Sequence, residues 1–283
     1  MDLTLIDETF DLSITENYNI SIQASLNGYS FSILDKRRNK YILLRNQGFN
    51  QQLTEEELAA KLGDALREDE LLTRVYGSVS FVYLSGRYTI VPESLFDTEN
   101  LKAYFSFNQE LFETDKLYYN NVKAAGAVII FAIPVELTEK LTDWNGKVKF
   151  YSQIAPFVEN FVTNYGEKDD KYKVMVNLHP GFTDIAVLKG NSLKLCNSFG
   201  CKNEKDFIYF LLYVFEQLRL NQEDTQVFIA GDIQKNSPHY EILKKHIRNI
   251  SFEKYSNHFN YSYKFMEVES HRFSNLLNLN MCE

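Results

Sequence analysis

The sequence predicts an α/β protein built from two copies of one unit, and three observations carry that reading. First, residues 18–28 (YNISIQASLNG) and 172–181 (YKVMVNLHPG) each read as a strand running into a glycine turn. Second, each turn is followed by an alternating strand (29–34 and 182–188), a polar turn (35–40 and 189–192) and a third strand (41–44 and 193–197). Third, a capped helix and a further apolar strand come after both. A repeated strand–strand–strand–helix–strand unit restricts the fold to a short list without naming a reaction.

Taken in order, the first capped helix starts at Thr54. Thr54 and Glu57 form a capping box, in which the threonine oxygen accepts an amide and the glutamate reaches back. Leu58, Leu62, Ala65 and Leu66 then recur at helical spacing. The fourth strand is 78–84. Extra material follows at 85–122, with a short strand from Tyr88 that Pro92 ends before a helical turn, and a strand at 117–122. A strand at 127–133 leads to Pro134 at a first helical position and a helix to about Trp144. A short strand at 148–151 precedes an amphipathic helix over 153–165, with Ile154, Phe157, Val158, Phe161 and Val162 on one face.

The connector 166–171 (GEKDDK) is the most charged in the chain, which predicts a boundary there. The expected halves are 1–165, with the insertion at about 85–122, and 166–283. In the second half Asn203 opens a helix whose nearly continuous apolar stretch, 207–215, predicts burial over most of its surface. Strand 226–230 ends at Gly231-Asp232. Ser237-Pro238 caps a helix to about Arg248, with Lys244, Lys245 and His246 near its negative end. The last strand is 250–254, and the aromatic, polar tail from Asn257 fits no pattern.

A chain of 283 residues, 45% hydrophobic and 24% charged, is expected to fold into packed cores, not to stay disordered. The 22 Phe and 18 Tyr are expected mostly inside, because large rings dominate burial energetics. A net charge of −8 argues against nucleic acid and anionic membrane partners. The basic run 36–40 has no interleaved aromatics for base stacking and reads as a solvated hairpin tip. Cys196, Cys201 and Cys282 are too few, and odd in number, for a disulfide framework; they suggest a reducing compartment and no zinc site. The N-terminus lacks the basic region of a signal peptide. The longest apolar run, 124–135, falls short of the about 20 residues that span a bilayer. The expectation is a cytoplasmic protein without membrane insertion.

Two three-stranded meanders, each followed by helix, strand and helix, resemble the actin-like ATPase fold, which consists of two ribonuclease H-like halves with a cleft between them. The stretch VNLHPGFTDIAVLKG at 176–190 looks like the second phosphate loop of the actin-like proteins of pilus-assembly and secretion machines. Together with VPESLF at 91–96, the chain resembles a family of uncharacterised bacterial proteins, a domain of unknown function with this fold. Active members of the fold carry Asp-x-Gly at the end of strand one in each half. The aspartates hold hydrated magnesium or orient water, and the glycine admits the phosphates.

On that resemblance the two aspartate positions fall on Gln23 and Asn177, and the glycine positions on Ser25 and His179. Pro180 lacks an amide that a phosphate could use. A paired-glycine motif on the adenine side becomes Gly231-Asp232, which brings in a side chain and a negative charge. The resemblance therefore implies loss of hydrolysis, since phosphoryl transfer rests on metal and fixed charge. The expected protein is a non-hydrolysing module for protein interaction or scaffolding, with an unidentified protein partner or a second copy and no cofactor. The alternatives are a nucleotide switch that binds ATP and magnesium without turnover, and an active phosphotransferase using Asp184 and Asp232.

Each candidate in the cleft has a plainer reading. Gly28 and Gly181 would present amides to an anion, or simply satisfy hairpin turns. Ser25, Asn27 and Thr183 would contact phosphate, or serve as ordinary turn and strand residues. His179 reads as a loop histidine without a visible partner. Asp35 and Asp184 lie on strand two of each half, which does not give nuclease geometry. Tyr118, Tyr119 and the aromatics of 259–265 are expected in the core.

Overall fold

The protein is described by a computed structural model covering residues 2–282; Met1 and Glu283, the outer ends of the expected halves, lie outside the described residues. After β1 (Leu3–Ile6), the first meander consists of β2 (Tyr18–Ser25), β3 (Gly28–Asp35) and β4 (Lys40–Gly48). Then come α1 (Glu55–Glu68), β5 (Ser78–Tyr83), β6 (Tyr88–Pro92), α2 (Leu101–Ser106), β7 (Asp115–Val122), β8 (Ala127–Pro134), α3 (Val135–Trp144), β9 (Lys149–Ser152) and α4 (Ile154–Tyr165). The second meander is β10 (Tyr172–His179), β11 (Phe182–Lys189) and β12 (Ser192–Gly200). It continues with α5 (Glu204–Gln217), β13 (Gln226–Gly231), α6 (Pro238–His246), β14 (Asn249–Phe252), β15 (Asn260–Tyr261) and α7 (Ser274–Asn278).

Five strands of each half follow one order, β4-β3-β2-β5-β9 matching β12-β11-β10-β13-β14, and the first sheet adds β1 and β15, both paired with β4. In both, the first meander strand pairs antiparallel with the second and parallel with the strand after the capped helix. The caps form as their sequences predict. Thr54 Oγ1 accepts from Glu57 N at 3.2 Å while Thr54 N donates to Glu57 Oε2 at 2.8 Å. Asn203 Oδ1 accepts from the amides of Lys205 and Asp206.

The insertion forms a separate three-stranded sheet, β6-β8-β7, and so takes in Ala127–Pro134 beyond Val122. Pro134 ends β8 and caps α3 in extended geometry, one residue earlier than its expected helical position. α5 is not buried on most of its surface. Phe207, Leu211, Val214 and Phe215 face the core, whereas Tyr209 is 64% and Tyr213 45% exposed. The helix lies on the outer side of its sheet, where tyrosine can present an apolar body inward and a hydroxyl to water. Tyr119 is likewise exposed instead of buried, in an edge strand of the small sheet, while Phe265 is in the core.

The chain exchanges its covers. α4, at the end of the first half, packs on β10, β11 and β12, and Phe157, Val158 and Phe161 join one core with Met175, Ala186 and Leu188. The tail returns the other way. β15 pairs parallel with β4, α7 packs on β2 and β3, and Phe265, Phe273, Leu276 and Leu277 close over Leu34, Tyr41 and Leu44. No helix among the described residues is long and apolar enough to cross a membrane.

Candidate functional site

Both β2 and β10 end in two-residue hairpins, closed by the pairs Ser25–Gly28 and His179–Phe182. This sets Gln23 and Asn177 at equivalent positions, each two residues before its strand end. Gly181 has φ +89° with open space around it, so its turn needs the left-handed region that glycine supplies. Gly28 serves close approach instead: a Cβ there would sit 2.5 Å from the Gln47 carbonyl oxygen. Gly231, at φ +85°, has the Leu178 carbonyl oxygen and Asn177 Oδ1 in the place a Cβ would take. It lets the end of β13 close on β10, where Asp232 N donates to Leu178 O at 2.8 Å.

Two adjoining cavities lie at these strand ends. One, of about 190 Å³, is lined by Gln23, Ser25, Asn27, Gly28, His179 and Asp232, with Arg272 from the tail. The other, of about 340 Å³, shares Ser25, Asn27 and His179 and adds Gly181 and Arg87. Thr183 and Gly231 line neither. Thr183 is fully buried and donates its hydroxyl to the Asn177 carbonyl, tying the hairpin together.

His179 is not a loop residue without a partner. It ends β10, its Nε2–H donates to Asp184 Oδ2 at 2.9 Å, and its ring stacks on Phe182. The pairing register explains this: Asp184 stands directly across from Asn177, so its side chain is diagonal to His179 on the same face. Asp184 is fully buried and also accepts from the Ser198 hydroxyl. The nearby Cys196 thiol is pushed up by burial and by the Asp184 charge, which keeps it an inert thiol.

Asn177 is 1% exposed, lines neither cavity, and donates from Nδ2 to Asn275 Oδ1 on α7 at 2.9 Å. Gln23 reaches the smaller cavity, and its Oε1 is buried without a partner. The donor set does not fit a magnesium–nucleotide complex. The two strand ends supply amides where water on the metal needs charged acceptors, and Asp232 is the one carboxylate lining the smaller cavity. Among the described residues no group of three or more His, Cys, Asp or Glu is placed to hold a metal ion.

The sequence of residues 7–250 matches the family described as "Protein of unknown function (DUF3822)". The chain belongs to that family. No curated protein matches it. It is similar to a Bacteroides thetaiotaomicron protein with an actin-like ATPase fold and unknown function, at 27% identity over 97% of this chain and 100% of that one, with a TM-score of 0.84. It is also similar in fold to a chain of the PilM-PilN type IV pilus biogenesis complex, at 11% identity, 93% and 97% coverage and a TM-score of 0.62. The ethanolamine utilization protein EutJ from Carboxydothermus hydrogenoformans aligns at 8% identity, 99% and 93% coverage and a TM-score of 0.50. The fold is the duplicated actin-like one.

Within this DUF3822 chain the actin-like halves meet through groups that sequence patterns did not single out. Glu253, just after β14, is 1% exposed and accepts from Asn160 of α4 at 2.6 Å and Asn278 of α7 at 3.3 Å. Burial raises its carboxyl to about 7, against the lowering effect of Ser274, Asn160 and Asn278. Asn280 donates to Ser21 Oγ and to the Tyr41 hydroxyl. The available signal was the spacing of Asn275, Asn278 and Asn280 through an otherwise leucine-rich segment. Arg272 left no such trace, because only the returning tail brings it to the cleft.

Proposed function

We propose that this chain is a non-hydrolysing actin-like protein that acts through protein interaction in the cytoplasm. The reading rests on Asn177. The position that would serve metal in an active half is an amide, buried away from both cavities and fastened to α7. Gln23, its counterpart, is also an amide. Ser25, Asn27, Gly28, His179, Gly181, Thr183, Gly231 and Asp232 are then remnants of a cleft, of which Thr183 and Gly231 hold the strand ends together. The free thiols of Cys196, Cys201 and Cys282 suit a reducing compartment. We place the division between the halves at residues 166–171.

The test is turnover of ATP with magnesium alongside a thermal melt. The expected result is no hydrolysis above background and no shift in melting temperature. Hydrolysis that disappears on Asn177→Ala would overturn the proposal. A melt shift without hydrolysis would instead favour the nucleotide-switch reading, for which Arg272 at the smaller cavity supplies a cation. Ligand at about 100 times its dissociation constant stabilises by about 2.7 kcal/mol, so the shift would be plain. Gly181→Val would then remove it.

A further inference from the structure

Glu253 is buried where α4, the chain just after β14 and α7 close on one another. Its Oε1 accepts from Asn160 Nδ2 at 2.6 Å and from Asn278 Nδ2 at 3.3 Å. The Asn160 oxygen is taken by Asn164 Nδ2 at 2.6 Å, which turns the Asn160 amino group toward Glu253. The Asn278 amino group is shared with Ser274 Oγ at 3.2 Å. Two buried oxygens are left without a donor among the described residues, Glu253 Oε2 and Asn278 Oδ1. They belong to side chains already joined through their other polar atoms. An ionised carboxyl brings no donor to this site, whereas a carboxylic acid brings one O–H.

Among the described residues nothing facing Glu253 compensates a negative charge. α7 contributes Ser274 and Asn278, both uncharged. α4 contributes the Tyr165 phenol and β15 the Tyr261 phenol; burial raises both, Tyr165 to about 12, so neither carries charge near neutral pH. His271 of the tail turns its Nε2 to the Ile233 carbonyl at 2.7 Å, with Glu269 at 3.6 Å, and burial holds it below its usual value. Lys254, next along the chain, is exposed. A buried carboxylate with no cation beside it is costly, and burial accordingly raises the Glu253 carboxyl to about 7.

The tail is tied down just before α7 and held by side chains beyond that point. Gly231 N donates to His271 O at 2.9 Å, and Ser270 Oγ to the Glu253 carbonyl at 2.7 Å, so residues 270–271 are fixed to the second sheet. Past them, Leu276 and Leu277 pack under the first sheet, Asn275 holds Asn177, and the Tyr41 hydroxyl donates to Leu277 O at 2.6 Å. We propose that a proton on Glu253 Oε2 closes a second hydrogen bond to Asn278 Oδ1, so that the pair is an acid–amide clasp on α7, and that loss of the proton lets the segment from Phe273 onward open as a strap. Phe273 then leaves the smaller cavity and Asn275 leaves Asn177, which makes cover of the cleft from the tail side a function of pH. Opening stays rare, because Leu276 and Leu277 are buried; the proton sets how often it occurs. The clasp lies outside the nucleotide cleft, and gain or loss of hydrolysis there leaves it unchanged.

Hydrogen exchange on the full chain, with each rate divided by the intrinsic rate of its amide at the same pH, tests the proposal. The amides of Leu277 and Asn278 are expected to be less protected than that of Ile185, at the buried centre of β11, at every pH. Between about pH 5 and about pH 8 they are expected to lose roughly fiftyfold of their protection, as linkage to a folded-state carboxyl at about 7 requires. Glu253→Gln puts an N–H where the acid has its O–H, and is expected to hold the strap at both values. In infrared spectra the wild-type chain is expected to show a carboxylic-acid carbonyl band that titrates near neutral pH and is absent from Glu253→Gln. Protection of Leu277 and Asn278 equal to that of Ile185 would mean release only by global unfolding and would overturn the proposal. So would protection indifferent to pH, a pH dependence that persists in Glu253→Gln, or a wild-type chain without the carboxylic-acid band. The wild-type exchange profile and its infrared band decide the matter even if the variant does not fold.

Discussion

The second sheet is covered on its inner face by α4, and the first by the returning tail; the strand orders match and the covers do not. α4 meets Met175, Ala186 and Leu188 with Phe157, Val158 and Phe161, a continuous apolar contact. The tail meets an inner face that is apolar at Leu34, Tyr41 and Leu44 but lined through its centre by Ser21, Gln23, Ser30, Ser32 and Ser80. There it uses Asn280, which takes Asn19 and Ser21 as partners. Of the nine buried side-chain polar atoms without a partner among the described residues, six belong to Gln23, Ser32, Asn177, Glu253, Asn275 and Asn278. The polar cover is therefore incompletely satisfied, and each orphan costs stability. One duplicated frame thus tolerates two kinds of closure: one driven by burial, one held in register by hydrogen bonds.

Truncating the apolar cover should break this balance most. Phe161→Ala, at a fully buried site, is expected to lower unfolding free energy by about 3–5 kcal/mol in denaturant titration. The next effect is one of pH, at the point where both covers meet. The Glu253 carboxyl stands at about 7 in the folded protein against 4.5 for the free group. The folded state thus favours the protonated form. Its stability is full below about pH 4.5, falls as pH rises through the folded value, and stays low above it. The loss is on the order of 3 kcal/mol, at about 1.4 kcal/mol per unit. Glu253→Gln is expected to flatten this slope and to raise the melting temperature at pH 8; an unchanged slope would place the titration elsewhere. The smallest effect belongs to the polar seam itself. Asn280→Ala is expected to cost about 1–3 kcal/mol by stranding the Ser21 hydroxyl. A loss as large as that of Phe161→Ala would show that the two covers do not differ in kind.

The same contrast explains what could be read from residues alone. The hairpins, the capping box at Thr54, the cap at Asn203 and the α4 stripe were legible because periodicity and capping are local. The amide replacements Gln23 and Asn177 were legible as positions, since both strand ends have clear turns. The pairing of His179 with Asp184 was not, because it depends on cross-strand register that a sequence does not print. Nor was Arg272, which only the returning tail brings to the cleft, nor Asn275 and Glu253, whose partners lie on other elements, as far as 98 residues away for Asn177 and Asn275. The exposure of Tyr209 and Tyr213 was misjudged because an apolar run does not say which side of a sheet its helix will occupy.

The exchange of covers also sets an order of synthesis. Strands β2, β3 and β4 emerge from the ribosome before the whole second meander, and Leu276, Leu277 and Asn280 only after it. Until then the inner face of the first sheet has no lid, while α4 waits for β10 to β12 to arrive. The nascent chain must therefore keep the inner face of the first sheet uncovered until β10 to β14 have all been made.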